Sequence, residues 1–206
     1  MIENIHWLGH ASFKITGEKI IYIDPYKIND GAQKADIILI THDHYDHFSA
    51  PDMGKILQVN TVVIGPGDVV RKNTTHDARK MDAGDTLKVG DIIIQAVPAY
   101  NIAKNFHPKG HSWNGYVITV GGVRIYHAGD TDFIPEMKVI KADIALLPIG
   151  GTYTMTAREA AQAANTLKPK IAIPMHYDTI IGTQSDAKRF KELCECEVVI
   201  LKKEEG

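Results

Sequence analysis

The feature that most constrains this chain is an echo between its halves. KIIYIDPY at 19–26 is followed by KADIILI at 34–40, and RIYHAGD at 124–130 is followed by KADIALL at 141–147. Each copy reads as strand, polar loop, strand, loop and helix, which is how a duplicated unit shows in sequence. The short apolar runs, bounded by turn signals, suit strands buried on both faces. Two such units are a natural way to build two sheets packed face to face with helices outside. No linker or low-complexity segment separates the copies, so a single domain over 1–206 is expected.

Local signals supply the elements. Hairpins are expected at 12–23 with a turn at Gly17, at 87–97 with a turn at Gly90-Asp91, and around Gly121-Gly122. Further strands are expected at 37–40, 62–64, 144–147, 170–173 and 198–201. A helix is expected over 51–59 with Ser49 or Ala50 near its cap, and another over 185–195. Thr156 with Glu159 three residues later is a capping box that opens an Ala-rich helix to about Leu167.

Composition removes several classes of function. With 44% hydrophobic and 23% charged residues the chain is in the globular range. No apolar run exceeds four residues, far short of the ~20 that a membrane span needs. The start, MIENIHWLGH, lacks the basic and apolar regions of a secretory signal. Cys194 and Cys196 stand two apart, an awkward spacing for a mutual bridge and too few for a disulfide framework. A cytoplasmic location is therefore expected. Lys plus Arg (23) against Asp plus Glu (25) gives a net charge of −2 without a basic block, so neither nucleic acid nor membrane is an expected partner. The expected partner is a small-molecule substrate, with a homo-oligomer left open.

The chemistry concentrates at 41–47, THDHYDH, directly after the apolar run 37–40. His42, His44, Asp46 and His47 are four candidate ligands at the end of a buried strand. Imidazole nitrogen and carboxylate oxygen suit zinc, manganese or iron, and this set exceeds what one open catalytic site requires. Two divalent metal ions per chain are expected, zinc first, with manganese or iron as alternatives.

H-x-H-x-D-H after a hydrophobic strand resembles the metallo-β-lactamase superfamily of metal-dependent hydrolases. WLGHASF at 7–13, IYIDPY at 21–26, AGDTD at 128–132 and IPMHYDT at 173–179 follow in the order that family shows. The likeness is greatest to its small single-domain hydrolases near the ascorbate-phosphate lactonase-like branch. It implies an α/β (α+β) fold, a four-layer αββα sandwich. It also implies that His42 and His44 bind one metal, Asp46 and His47 the other, that Asp130 bridges both, and that His176 completes the second. Where relatives carry a His after a Pro-small dipeptide, this chain has Val97-Pro98-Ala99-Tyr100-Asn101. His107 in the loop NFHPKGHSWNG is preferred as the replacement because it comes first and is held by Pro108. His111, Asn101 or no protein ligand are the other options.

Asp46, Asp130 and His10 are the expected catalytic residues, with His127 a further neighbour. Asp24 is expected to orient the His loop, and His6 and His76 to be ordinary structure. Two cations sharing a bridging hydroxide would hydrolyse an ester, lactone, amide or phosphodiester without a protein nucleophile, and no G-x-S-x-G elbow is present to offer one. A di-iron redox enzyme on the same fold and a non-hydrolytic metal-binding protein are the alternatives.

Overall fold

The computed structural model describes residues 1–73 and 77–204, and the chain divides into two compact units. The first comprises 1–81 and the residues from 201 onward, and the second runs from Asp82 to Ile200.

The first unit is a six-stranded mixed sheet whose strands stand in chain order. β1 (Ile5–Gly9), β2 (Ser12–Ile15) and β3 (Ile21–Ile23) are antiparallel neighbours. β3, β4 (Ile37–Leu39), β5 (Val62–Gly65) and β6 (Asp77–Lys80) run parallel. Continuous apolar runs are what buried parallel strands need, and Ile37, Ile38 and Leu39 are fully buried. β3 begins at Ile21 rather than at Lys19 because the Ile20 N–H is taken by Asp36 Oδ2 at 2.7 Å instead of a strand partner.

α1 (Ala50–Ile56) is capped by Ser49 and packs Met53 and Ile56 into the core with Tyr22, Ile38 and Val63. It stops short of the expected residue 59. Thr61 Oγ1 captures the Gln58 N–H and itself donates to Ala35 O, which turns the chain out of the helix. α2 (Gly67–Lys72) and β6 carry no signal in the sequence. α2 is barely two turns long, and the polar residues of β6 show no alternation, so neither carries a periodic signal. His76 lies outside the described residues.

The second unit is a seven-stranded mixed sheet in the order β13-β12-β11-β10-β9-β8-β7. β7 (Thr86–Val89), β8 (Ile92–Pro98), β9 (Asn114–Val120) and β10 (Val123–His127) form an antiparallel meander. β11 (Ile144–Pro148), β12 (Ile171–Met175) and β13 (Glu197–Val198) continue it in parallel. α3 (Ala157–Leu167) opens with both hydrogen bonds of the Thr156/Glu159 capping box and buries an alanine face with Leu167. α4 (Gln184–Leu193) has its own box from Thr183 and Asp186. The last strand was expected at 198–201. Pairing to β12 instead ends at Val198, and the residues from 201 join the first unit through a Trp7–Lys203 bridge and a Glu204 N–H to Trp7 O bond of 2.8 Å.

Among the described residues no helix is long and apolar enough to cross a membrane.

Candidate metal-ligating residues

In the first unit the donors follow β4. Asp24, at the end of β3, is fully buried. Its Oδ1 accepts the Thr41 N–H at 2.7 Å, and its Oδ2 accepts the Thr41 hydroxyl at 2.6 Å and the His47 Nδ1–H at 2.8 Å. Thr41 has only one hydroxyl proton. Because that proton goes to the carboxylate, Thr41 Oγ1 can only accept from His42 Nδ1, 2.9 Å away. Both neutral imidazoles are thus protonated at Nδ1, and each presents Nε2 as a lone pair.

His42 and His47 are buried with ring centroids 4.0 Å apart. His42 Nε2 lies 3.1 Å from His44 Nδ1. Asp46 Oδ2 lies 2.9 Å from His10 Nε2 and 3.7 Å from His47 Nε2. A carboxylate behind a histidine, fixing its tautomer so that the other nitrogen is bare, is how proteins prepare imidazoles for metal. Asp24 itself lies within 4.8 Å of the donor atoms of His42 and His47. Three hydrogens are already directed at its two oxygens, so it is placed to orient these imidazoles.

In the second unit Asp130 stands just past β10, beyond Gly129 in its left-handed turn (φ 65°). His107 Nε2 is 3.2 Å and His176 Nε2 3.0 Å from the same oxygen, Asp130 Oδ2, and all three residues are buried. His176 follows β12 with φ at 59°. Gly150 leaves the room for it, since a Cβ there would meet His176 O at 2.6 Å and its Nδ1 at 3.0 Å. Two imidazole nitrogens on one buried carboxylate oxygen form a donor set that zinc, manganese and iron all accept. In both units, then, the chemistry of the donors fits a divalent metal.

Backbone strain marks the same places. Among the described non-glycine residues only seven have positive φ, and His10 (54°), Asp24 (47°) and His176 are three of them. Such conformations cost on the order of 1–3 kcal/mol and collect where function demands a fixed side chain.

The remaining candidates separate cleanly. His111 is exposed, with its ring edge-on to Trp113 at 4.7 Å. Asn101 is buried with its side chain turned to His107. His127 Nδ1 accepts the Gly129 N–H at 3.2 Å, so that ring braces the turn before Asp130. His6 bonds Thr16 and Glu204, an ordinary structural role. Burial pushes the Cys194 thiol up to about 12, so the thiolate a metal would require is disfavoured. Thr41 and Gly150 were not singled out in the sequence. For Thr41 a signal was there, a hydroxyl beside the first His and one residue past the position level with Asp24 on the neighbouring strand; for Gly150 there was none.

The sequence pattern of the beta-lactamase superfamily domain matches residues 4–176. A UPF0173 metal-dependent hydrolase from Thermococcus onnurineus is 38% identical, over 96% of this chain and 96% of its own. A crystal structure from Parabacteroides distasonis, provisionally described as a metal-dependent hydrolase, superposes with a TM-score of 0.85 at 37% identity, covering 95% of this chain and 91% of that one. The metallo-beta-lactamase fold protein YhfI from Bacillus subtilis shares the fold alone, with a TM-score of 0.76 at 15% identity over 97% of this chain and 96% of its own.

Proposed function

Because the chain belongs to the UPF0173 metal-dependent hydrolases of the beta-lactamase superfamily, we propose that it hydrolyses an ester, lactone, amide or phosphodiester at a dinuclear metal site. The observation that carries this reading is the Asp24–Thr41 arrangement, which holds the protons of His42 and His47 on Nδ1 and so reserves both Nε2 atoms for a metal. Such control over two buried tautomers is what a pair of metal-binding imidazoles requires. His42, His44 and His107 would hold one ion, Asp46, His47 and His176 the other, and Asp130 both. Zinc comes first, with manganese or iron as alternatives.

When bound, the ions supply Lewis acidity that brings the pKa of water toward neutrality and polarises the scissile oxygen. The chain's own residues then handle protons and position. Asp24 and Thr41 keep two imidazoles from turning. Asp46 Oδ2 would take up the proton released from water and pass it to His10 Nε2, 2.9 Å away, from which it would go to the leaving atom. The resemblance to the ascorbate-phosphate lactonase-like branch makes lactones the first substrates to try.

The test is elemental analysis of protein purified without chelator and reconstituted with zinc or manganese, followed by assay on lactone, thioester and phosphodiester substrates. Two ions per chain and hydrolysis that chelator abolishes are expected. A ratio that stays at or below one ion removes the dinuclear site, and chelator-resistant hydrolysis removes the metal mechanism.

A further inference from the structure

We infer that Asn101 is a positioning residue: its side-chain amide holds a proton on His107 Nδ1 and so reserves Nε2, on the Asp130 side, for the metal. This rests on the reading of His107 as a metal ligand, and deepens it.

The amide can point only one way. Its Nδ2 lies 3.1 Å from Asp132 Oδ1 and 3.0 Å from Tyr153 O, both acceptors, so Nδ2 must donate to each. Its Oδ1 accepts the His107 backbone N–H at 2.9 Å, which a reversed amide could not do. The same Oδ1 is 3.1 Å from His107 Nδ1. A carbonyl oxygen can only accept, so Nδ1 carries a proton, which leaves Nε2, 3.2 Å from Asp130 Oδ2, as the nitrogen a metal would take. The opposite tautomer would set two lone pairs against each other at Asn101 and forfeit a buried hydrogen bond.

The backbone closes the same ring. The Asn101 N–H donates to His107 O at 2.8 Å, so 101–107 is a loop clasped at its base by three bonds between its two end residues. Asp132 fixes the clasp in turn, also accepting the Ile102 N–H at 2.9 Å and the Lys104 ammonium. Just past the end of β8 the chain carries an amide that holds an imidazole six residues further on. Asn101 acts through His107 and touches no reacting atom.

The test reads the tautomer and the metal separately. Long-range 15N–1H correlation spectra of metal-free, histidine-labelled protein at pH 8, with His107→Ala to assign the signal, should show His107 protonated on Nδ1. In Asn101→Ala that preference should be lost. Zinc Kd by chelator competition should rise about 10- to 100-fold for one ion, the range seen when an outer partner of a ligand is removed. A folded Asn101→Ala protein with the wild-type zinc Kd, or with His107 still purely Nδ1–H, overturns the inference. Should Asn101→Ala fail to fold, the wild-type spectrum decides: a proton on Nδ1 sustains the assignment, and the Nε2–H tautomer ends it. If instead His107→Ala binds both zinc ions with unchanged affinity, it is the reading of His107 as a ligand that fails, whatever the tautomer.

Discussion

The two KADI segments do the same work, and the acids that follow the preceding strands do not. In the first unit Asp36 Oδ2 accepts the Ile20 N–H at 2.7 Å while its backbone N–H and C=O bond Ile20 O and the Val62 N–H, each at 2.9 Å. In the second, Asp143 Oδ2 accepts the Arg124 N–H at 3.0 Å, with backbone bonds to Arg124 O at 2.8 Å and the Lys170 N–H at 2.9 Å. One aspartate thus ties three neighbouring strands at their entry in each copy. The exits differ. Asp24 N–H bonds Leu39 O, and the residue making the matching bond to Leu146 O is Ala128. Asp130 stands two residues further on, past the Gly129 turn. The earlier position brings a carboxylate back onto the loop after the next strand, where it meets N–H and O–H hydrogens; the later one carries it past the strands to meet imidazole nitrogens. Two residues of offset therefore separate a carboxylate that organises ligands from one that has the surroundings of a ligand.

This contrast breaks first at Asp130. Asp130→Asn keeps the shape and removes the charge facing His107 and His176, so metal occupancy and hydrolysis should both fall by orders of magnitude, read by elemental analysis and turnover. Asp24→Asn should do less and act differently. An amide cannot accept all three hydrogens that the carboxylate accepts, so one of Thr41 and His47 loses its partner and the His47 tautomer is released. Both ions should still bind, with Kd raised about 10- to 100-fold. If Asp24→Asn abolishes binding as completely as Asp130→Asn, the division of labour is wrong. A smaller effect is expected for Gly150→Ala, whose new methyl must displace His176 O or its ring. Overpacking of this kind typically costs about 1–3 kcal/mol of stability, and zinc affinity should weaken with it, whereas a thermal midpoint and affinity equal to wild type would show that His176 has slack.

Much of this was legible because it is local or repeated. Three hairpins, the buried runs 37–40 and 144–147, and the Thr156/Glu159 cap all rest on neighbours in sequence, and structure and pattern agree there. The H-x-H-x-D-H cluster was legible for the same reason. What the chain did not disclose depends on partners far apart in sequence. The role of Asn101 requires Asp132 and Tyr153, which come from other loops. The choice between His107 and His111 turns on burial, since both lie in one short Gly- and Pro-containing loop. α2 and β6 escaped because six and four residues give too short a window for periodicity.

The repeated feature, the strand-tying aspartate, allows the finest test. The Arg124 N–H, burial working against it, and the nearby Lys170 and Arg124 side chains together hold the Asp143 carboxyl below the usual carboxylate range. A carboxylate depressed on folding stabilises the native state above its unfolded pKa, about 3.9, and that contribution disappears as pH falls through the lower folded value. Asp143→Asn should therefore lower stability by about 1 kcal/mol at neutral pH, the usual net worth of such a bond. The deficit against wild type should begin to shrink as pH falls below about 4, where the carboxyl of the unfolded chain takes up protons, and shrink further as pH passes through the lower folded value. Denaturant midpoints at pH 7 and pH 3 measure it. A deficit equal at both would mean that the carboxylate contributes shape and not charge, and would make the entry of this strand set independent of ionisation.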